Sequence, residues 1–252
     1  MSTGDFTALG GVDLAVQDGE FVTLVGPSGC GKSTLMNIVA GLDTPTSGDV
    51  LVDGRPVDGP SPERGVIFQQ YALFPWLTVR ANVEFGLRVA GVPVAERRSR
   101  AQHYIDLVGL TTYADQLPKS LSGGMKQRTA IARAYAVDPQ LLLMDEPFGA
   151  LDALTRVNLQ DQLQRTWQEA RRTVLFVTHD VEEAVYLATR VVVMAARPGR
   201  IQEVIDVDLP FPRSEETRLS PEFAEIKNRV WRAVYHQPSG LPGADSIVGA
   251  DH

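Results

Sequence analysis

Residues Gly26–Ser33 read Gly-Pro-Ser-Gly-Cys-Gly-Lys-Ser, with the apolar run Phe21–Val25 before them and Leu35, Ile38, Val39 and Leu42 after them at helical spacing. The first run predicts a buried strand, and the second predicts one face of a helix that Gly41 and Pro45 stop. A strand, a Gly-rich loop and a helix in that order satisfy the context of the G-x-x-x-x-G-K-[ST] phosphate loop. The glycines let the backbone turn its N–H groups inward around an anion, and the helix start points its positive end at the same place. Lys32 adds a mobile charge for outer phosphates, and the Ser33 hydroxyl is a candidate Mg²⁺ ligand. Gly26, Pro27, Ser28, Gly29, Cys30, Gly31, Lys32, Ser33 and Thr34 are therefore the candidate phosphate-binding residues. A plain Gly-rich turn with a solvated lysine is the bland alternative. Cys30, beside Lys32 and the helix start, is expected to be a reactive thiol that a bound phosphate ligand would shield, with a small, buried, inert apolar residue as its alternative.

Outward from this loop, strands and helices alternate. Val66–Phe68, Leu141–Met144 and Val174–Thr178 are short apolar runs that predict buried strands. Val50–Val52 with Asp53-Gly54 predicts a hairpin, as do Val191–Met194 and Ile201–Val207 around Pro198-Gly199. Between Val79 and Val137 the periodicity is helical, interrupted at Pro93 and Pro118. Asp152–Arg171 predicts a helix. Asp180 opens another, with Glu183 at the capping-box position. Ser220-Pro221 starts a last helix whose apolar face is Phe223, Ile226, Val230, Trp231 and Val234. The fold class is α/β with a mainly parallel sheet, a small antiparallel β part and a helical insertion. The expected division is a main domain over 1–210 with the insertion at about 79–137, a helical extension over 211–236 and a flexible tail over 237–252.

Composition excludes other classes. The chain of 252 residues carries 24 Lys+Arg against 31 Asp+Glu, a net charge of -7, which argues against a nucleic-acid partner. One cysteine allows no intrachain disulfide, so a reducing compartment is expected. No run approaches the ~20 apolar residues a membrane span needs, and the first residues lack the pattern of a signal peptide. The expectation is a cytosolic protein, with attachment to a membrane partner left open.

Two further stretches carry chemistry. Asp145-Glu146 closes the Leu141–Met144 strand, where carboxylates are costly unless a cation compensates their desolvation. Mg²⁺ would do that for Asp145, and Glu146 is placed to accept a proton from an attacking water. Leu121–Arg128, Leu-Ser-Gly-Gly-Met-Lys-Gln-Arg, places Ser122 as an N-cap before two glycines. It predicts a second open helix start, hence a second anion site. One nucleotide has one terminal phosphate and the first loop already takes it, so this site suggests docking against the nucleotide of another chain. A plain capped helix is the alternative on spacing alone.

Gly26–Thr34, Leu121–Arg128 and Leu141–Asp152, in this order and spacing, resemble the ATP-binding subunit of an ABC transporter over about residues 5–210. The resemblance implies the ABC ATPase fold with a P-loop NTPase core, ATP and Mg²⁺ as ligands, and ATP hydrolysis. It implies that Gln69 reaches Mg²⁺ and the attacking water, that Asp152 lies at a dimer interface, and that His179 contacts the γ-phosphate. Asp145 and Ser33 join Gln69 around the metal, and Glu146, His179 and Gln69 are the catalytic set. Ser122, Gly123, Gly124 and Gln127 would face the nucleotide of the other subunit. Tyr71–Val79, rich in aromatics, would lie near the groove for a permease's cytoplasmic helix, with core packing as its alternative. The family's adenine-stacking aromatic has no counterpart in register: its position falls near Thr3, and Phe6 is the sole aromatic before Phe21.

The stretches Gly19–Leu42, Tyr71–Val79 and Val191–Ile201 resemble the importer subfamily for nitrate, sulfonates and taurine. That resemblance implies a homodimer at the cytoplasmic face of the membrane, a separate permease and, indirectly, an extracytoplasmic solute-binding protein. A soluble ABC-type ATPase without a membrane partner is the alternative. Such proteins commonly carry two ATPase units or a coiled-coil insertion, and this chain shows neither.

Overall fold

A computed structural model describes residues 7–149 and 151–236. Thr3, Phe6 and the tail 237–252 lie outside the described residues. The strands are β1 (Phe21–Val25), β2 (Leu51–Val52), β3 (Arg55–Pro56), β4 (Arg64–Ile67), β5 (Leu141–Asp145), β6 (Thr173–Val177), β7 (Arg190–Ala195) and β8 (Arg200–Asp206). The helices are α1 (Lys32–Ala40), α2 (Val79–Val89), α3 (Val94–Leu107), α4 (Gly123–Ala136), α5 (Ala153–Ala170), α6 (Val181–Leu187), α7 (Glu215–Leu219) and α8 (Pro221–Tyr235).

Six strands form one sheet in the order β4-β5-β6-β1-β7-β8. Every pairing is parallel except β7 with β8, which are joined through the Pro198-Gly199 turn. β2 and β3 form a separate antiparallel pair across Asp53-Gly54, where both residues have positive φ.

Strand alternation divides the core between the two sheet faces. Phe21 and Val25 of β1 join one cluster with Ile67, Met144, Phe176 and Trp167. Val22 and Leu24 join the other with Leu35, Met36, Leu143 and Val177. Trp167 anchors the first cluster: its ring lies edge-on to Phe21 at 5.8 Å and its Nε1 donates to Arg172 O at 2.9 Å. Truncating such a side chain to alanine typically costs ~3–5 kcal/mol.

Several local expectations are corrected. α1 ends at Ala40 because Gly41 turns at φ +76, so Leu42 leaves the helix and is half-exposed instead of facing the core. β4 starts earlier than expected and stops before Phe68, which is exposed. Trp231 lies outside the buried face of α8 at 47% exposure, against a ring partner in Tyr235 at 5.0 Å. The capping box at Asp180 is half-built. Asp180 Oδ1 accepts from Glu182 and Glu183 N–H, but the Glu183 carboxylate turns inward to Gln160 Nε2 at 2.9 Å. Burial raises the Glu183 carboxyl above its ordinary range.

The short helix α7 falls within the expected helical extension, although no apolar periodicity marks it as a separate element. It follows Arg213, a buried residue whose guanidinium donates to the carbonyls of Val185, Tyr186 and Ala188 at the end of α6. The same group donates to Val207 and Leu209 O and stacks on Phe211, and burial pushes it down to about 10. Arg213 thus satisfies helix-end carbonyls that would otherwise lack partners. It fixes the stretch that leads into α7 and α8 against the main sheet.

Candidate functional site

The parallel register brings four turns to one edge of the sheet. β4, β5, β6 and β1 are neighbours, and each ends on the same side. Gln69 follows β4, Asp145-Glu146 ends β5, His179 follows β6, and Gly26–Ser33 follows β1. Carboxyl ends of parallel strands are where open α/β sheets hold ligands.

The loop after β1 has the predicted backbone. Gly29 and Gly31 adopt φ +77 and +91, in the left-handed region open to glycine. Gly26 sits so close that a Cβ would meet Met194 O at 2.4 Å. The loop is also backed from outside the motif. A Cβ on Gly31 would meet Leu9 Cδ2 at 2.5 Å, and one on Gly199 would meet Cys30 O at 2.2 Å. Gly199 N donates to Ala8 O at 3.0 Å, and Gly10 N donates to Gly199 O at 2.7 Å. Residues 8–10 and Gly199 therefore form a floor under the loop. Sequence reasoning missed this role for Gly199, although Pro198-Gly199 already marked a turn.

Lys32 is buried and its Nζ donates to Gly26 O at 2.8 Å and Pro27 O at 3.2 Å, with Cys30 Sγ at 3.7 Å. The ammonium is held inside the loop by carbonyls, with no carboxylate among these partners. Cys30 is fully buried, which corrects the expectation of a reactive thiol. It packs in the apolar cluster with Leu24, Leu35 and Met194.

The acidic pair divides its work. Asp145 Oδ1 accepts from Ser33 Oγ at 3.3 Å. Burial pushes the Asp145 carboxyl up, the Ser33 bond opposes this, the Glu146 charge adds to it and Lys32 opposes it, leaving it above the usual range. A raised carboxyl holds its proton more tightly in the folded chain. Its ionisation therefore lowers stability as pH rises through that range, and a cation placed there would reverse the effect. The donors beside it, a hydroxyl and a carboxylate, are hard oxygens. Mg²⁺ is commonly held by one or two carboxylates together with substrate phosphates. The residues present fit that ion, and among the described residues no cluster of three His, Cys, Asp or Glu offers a complete protein cage.

Glu146 sits at φ +42, an uncommon conformation for this residue type, with its N–H tied to Val177 O at 2.9 Å. Its Oε2 is the meeting point of the site: Gln69 Nε2 donates at 3.4 Å and His179 Nδ1 lies at 3.2 Å. An ionised carboxylate only accepts, so the His179 contact takes the Nδ1–H tautomer.

The other predicted residues stand on α4 and α5. Ser122 caps α4, its Oγ accepting from Met125 N–H at 3.3 Å. Gly123 and Gly124 permit close approach: a Cβ would meet Tyr71 OH at 3.0 Å and Thr155 Cγ2 at 2.6 Å respectively. Asp152 caps α5 by accepting from Thr155 N–H at 3.0 Å, which holds its carboxyl below the usual range. Gln127 is wholly buried, and neither its Oε1 nor its Nε2 has a hydrogen-bond partner among the described residues. Burial takes it off the exposed face that Ser122 presents.

Among the aromatics of Tyr71–Val79, Trp76 is 71% exposed, while Phe74 stacks on Phe85 at 4.3 Å. Buried Asn82 fixes this loop, accepting from Phe74 N–H and donating to the carbonyls of Phe74, Leu77 and Thr78. Arg133 of α4 holds the loop's start, donating to Ala72 O at 2.7 Å.

Comparisons with known proteins identify the family. The ABC transporter family profile matches residues 9–149. An ATP-binding protein of Brucella abortus is 70% identical over 237 residues, covering 94% of this chain and 91% of the relative. The nitrate import ATP-binding protein NrtD of Synechocystis is 48% identical over 90% of this chain and 88% of its own length. The aliphatic sulfonates import ATP-binding protein SsuB of Bacillus cereus is 46% identical over 90% of this chain and 88% of its own. A solved ATP-binding cassette, dimeric and bound to ADP and Pi after hydrolysis, superposes with a TM-score of 0.73 at 34% identity, covering 83% of this chain and 95% of the other. The chain belongs to the ABC transporter family, as an ATP-binding subunit that hydrolyses ATP.

Proposed function

We propose that two copies of this chain close head to tail around two MgATP and drive a separate membrane permease that imports nitrate, a sulfonate, taurine or a similar small solute. The observation that carries the reading is the convergence of Gln69 and His179 on Glu146 Oε2, beside the Lys32 loop. In this reading, phosphate charge draws Lys32 Nζ from the loop carbonyls that hold it. The N–H groups of Gly29–Ser33 and the start of α1 stabilise the same charge. Glu146 accepts the proton of the attacking water, with Gln69 and His179 orienting its carboxylate. Ser33 and Asp145 would hold Mg²⁺, which when bound neutralises phosphate charge as a Lewis acid.

Ser122–Gly124 of one copy would close over the nucleotide on Lys32 of the other, and Asp152 would lie at that interface. A solved cassette that is dimeric and bound to ADP and Pi supports an assembly of two copies with nucleotide. Loss of the terminal phosphate removes the ligand that bridges the two halves, so the dimer reopens.

Exposed Trp76, on a loop fixed by Asn82 and Arg133, is suited to contact the permease. No helix among the described residues is long and apolar enough to cross a membrane. The likeness to import ATP-binding proteins supports a peripheral place beside a membrane permease, and the reading adds the cytoplasmic face and, indirectly, an extracytoplasmic solute-binding protein. The test is Glu146→Gln. Turnover is expected to fall on the order of 10²–10⁴-fold, as for loss of a general base, while MgATP still binds. Turnover near that of the unaltered chain rejects the assignment.

A further inference from the structure

We infer that Arg156 couples the Asp152 turn to the His179 turn, acting as a positioning residue for hydrolysis. The inference rests on the roles proposed above for Asp152, Glu146 and His179. Arg156 stands in the first turn of α5, and its backbone N–H donates to Asp152 O at 2.9 Å. Its guanidinium reaches two chain segments at once. Nη2 donates to Leu151 O at 3.2 Å, and Nη1 faces Asp180 Oδ2 at 3.5 Å. The remaining donor, Nε, is buried without a hydrogen-bond partner among the described residues. A side chain only partly covered could turn to water and satisfy all its donors. This one instead spans the two turns.

The far end of the span is tied closely to the reacting groups. Asp180 commits Oδ1 to the N–H groups of Glu182 and Glu183 and offers Oδ2 to Arg156. Its own N–H donates to Thr178 Oγ1 at 3.0 Å. His179 is thus held between two fixed neighbours, with its ring on Glu146 Oε2 at 3.2 Å. A displacement of Leu151 and Asp152, which a second copy would cause on closing, moves the carbonyl under Nη2. The planar fork carries that movement to Asp180 and so to His179. A lysine has one point charge and cannot span both acceptors.

Stability needs this arginine little. Asp180 already caps α6 without it, and the ion pair is about one-third exposed at both ends, where such pairs add little. That separates a positioning role from a structural one. In the full chain, Arg156→Ala and Arg156→Lys are expected to lower kcat for MgATP about tenfold, with KM within about twofold and Tm within about 2 °C. Asp180→Asn keeps a good helix cap and is expected to lower kcat similarly. The double variant Arg156→Ala with Asp180→Asn should be no slower than the slower single one, because the pair acts as a unit.

The inference is overturned if Arg156→Ala keeps kcat within twofold, if Arg156→Lys restores it, if the losses multiply in the double variant, or if Tm falls with kcat. These results leave the proposed function standing provided that Glu146→Gln abolishes turnover. If Glu146→Gln turns over normally, the reading of the site fails first.

Discussion

The strand-end turns and the start of α4 each present polar groups suited to phosphate, yet they are built in opposite ways. At the strand ends the partners come from far along the chain: Ser33 meets Asp145 across 112 residues and Gln69 meets Glu146 across 77. At α4 the Ser122 hydroxyl meets Met125, three residues away, within its own helix. The first region is assembled by sheet topology, and its groups already constrain one another. The second is complete only as a helix cap, and among the described residues the Ser122 hydroxyl is paired only with Met125 of its own helix. A site whose groups converge within the folded chain can bind alone. An exposed cap beside two close-packed glycines is the form expected of a surface that another molecule completes.

The largest expected effect tests that contrast directly. Ser122→Arg places bulk and charge on the face proposed for the second copy's nucleotide. MgATP affinity of the isolated chain should be nearly unchanged, while turnover falls at least about 10²-fold, roughly 2.7 kcal/mol in barrier. Lys32→Ala should be equally inactive through loss of its own phosphate contact. Mixing the two variants should restore part of the activity. One composite site of the mixed dimer carries both changes and the other carries neither. Steady-state hydrolysis of the mixture reads this out, and an inactive mixture would mean that Ser122 works within its own chain.

A smaller effect is expected beneath the phosphate loop, where assembly from distant residues makes the strand-end region vulnerable far from its motif. Gly199→Ala would bring Cβ within 2.2 Å of Cys30 O, a backbone atom that cannot swing aside. The loop must shift, and overpacking of about 1–3 kcal/mol corresponds to roughly tenfold weaker MgATP binding. Gly59→Ala is the matched control, since nothing lies within 4 Å of its added Cβ. Titration calorimetry of both variants decides it, and equal affinities would remove Gly199 from the support of the loop.

How much of this was legible in the sequence follows the same division. The phosphate loop, Asp145-Glu146 and His179 each follow a short apolar run, so their residue types and strand ends could be read together. Parallel pairing then put them on one edge. Gln69 was legible through family resemblance, because a lone glutamine after a short strand carries no signal of its own.

Gly199, Arg213 and Arg156 were not legible, for one physical reason. Each acts by contacts that only the fold creates: Gly199 and Arg213 with main-chain carbonyls, which carry no sequence identity, and Arg156 with Leu151 O and the carboxylate of Asp180. Trp231 and Leu42 were misplaced because apolar spacing reports a helix face without reporting what covers it or where the helix stops. Cys30 was misjudged because its charged neighbours in sequence suggested reactivity, whereas the loop turns its sulfur into the apolar layer under α1.

Gln127 supplies the smallest effect and sharpens the boundary between the two regions. It lies in the same motif as Ser122, yet it is fully buried and both amide atoms lack partners among the described residues. An unsatisfied buried polar group typically costs ~1–3 kcal/mol. Methionine has nearly the same length and flexibility without the amide. Gln127→Met should therefore leave the fold intact and raise stability by about 1 kcal/mol, or about 2–4 °C in Tm for a domain of this size. If the contact face of α4 ends at its first glycines, turnover in the same variant should stay within about twofold of the unaltered chain, well under 1 kcal/mol in barrier. If instead turnover drops while Tm rises, the amide is kept unpaired for a partner that only the closed dimer supplies. The second region would then extend one helical turn deeper than its exposed cap.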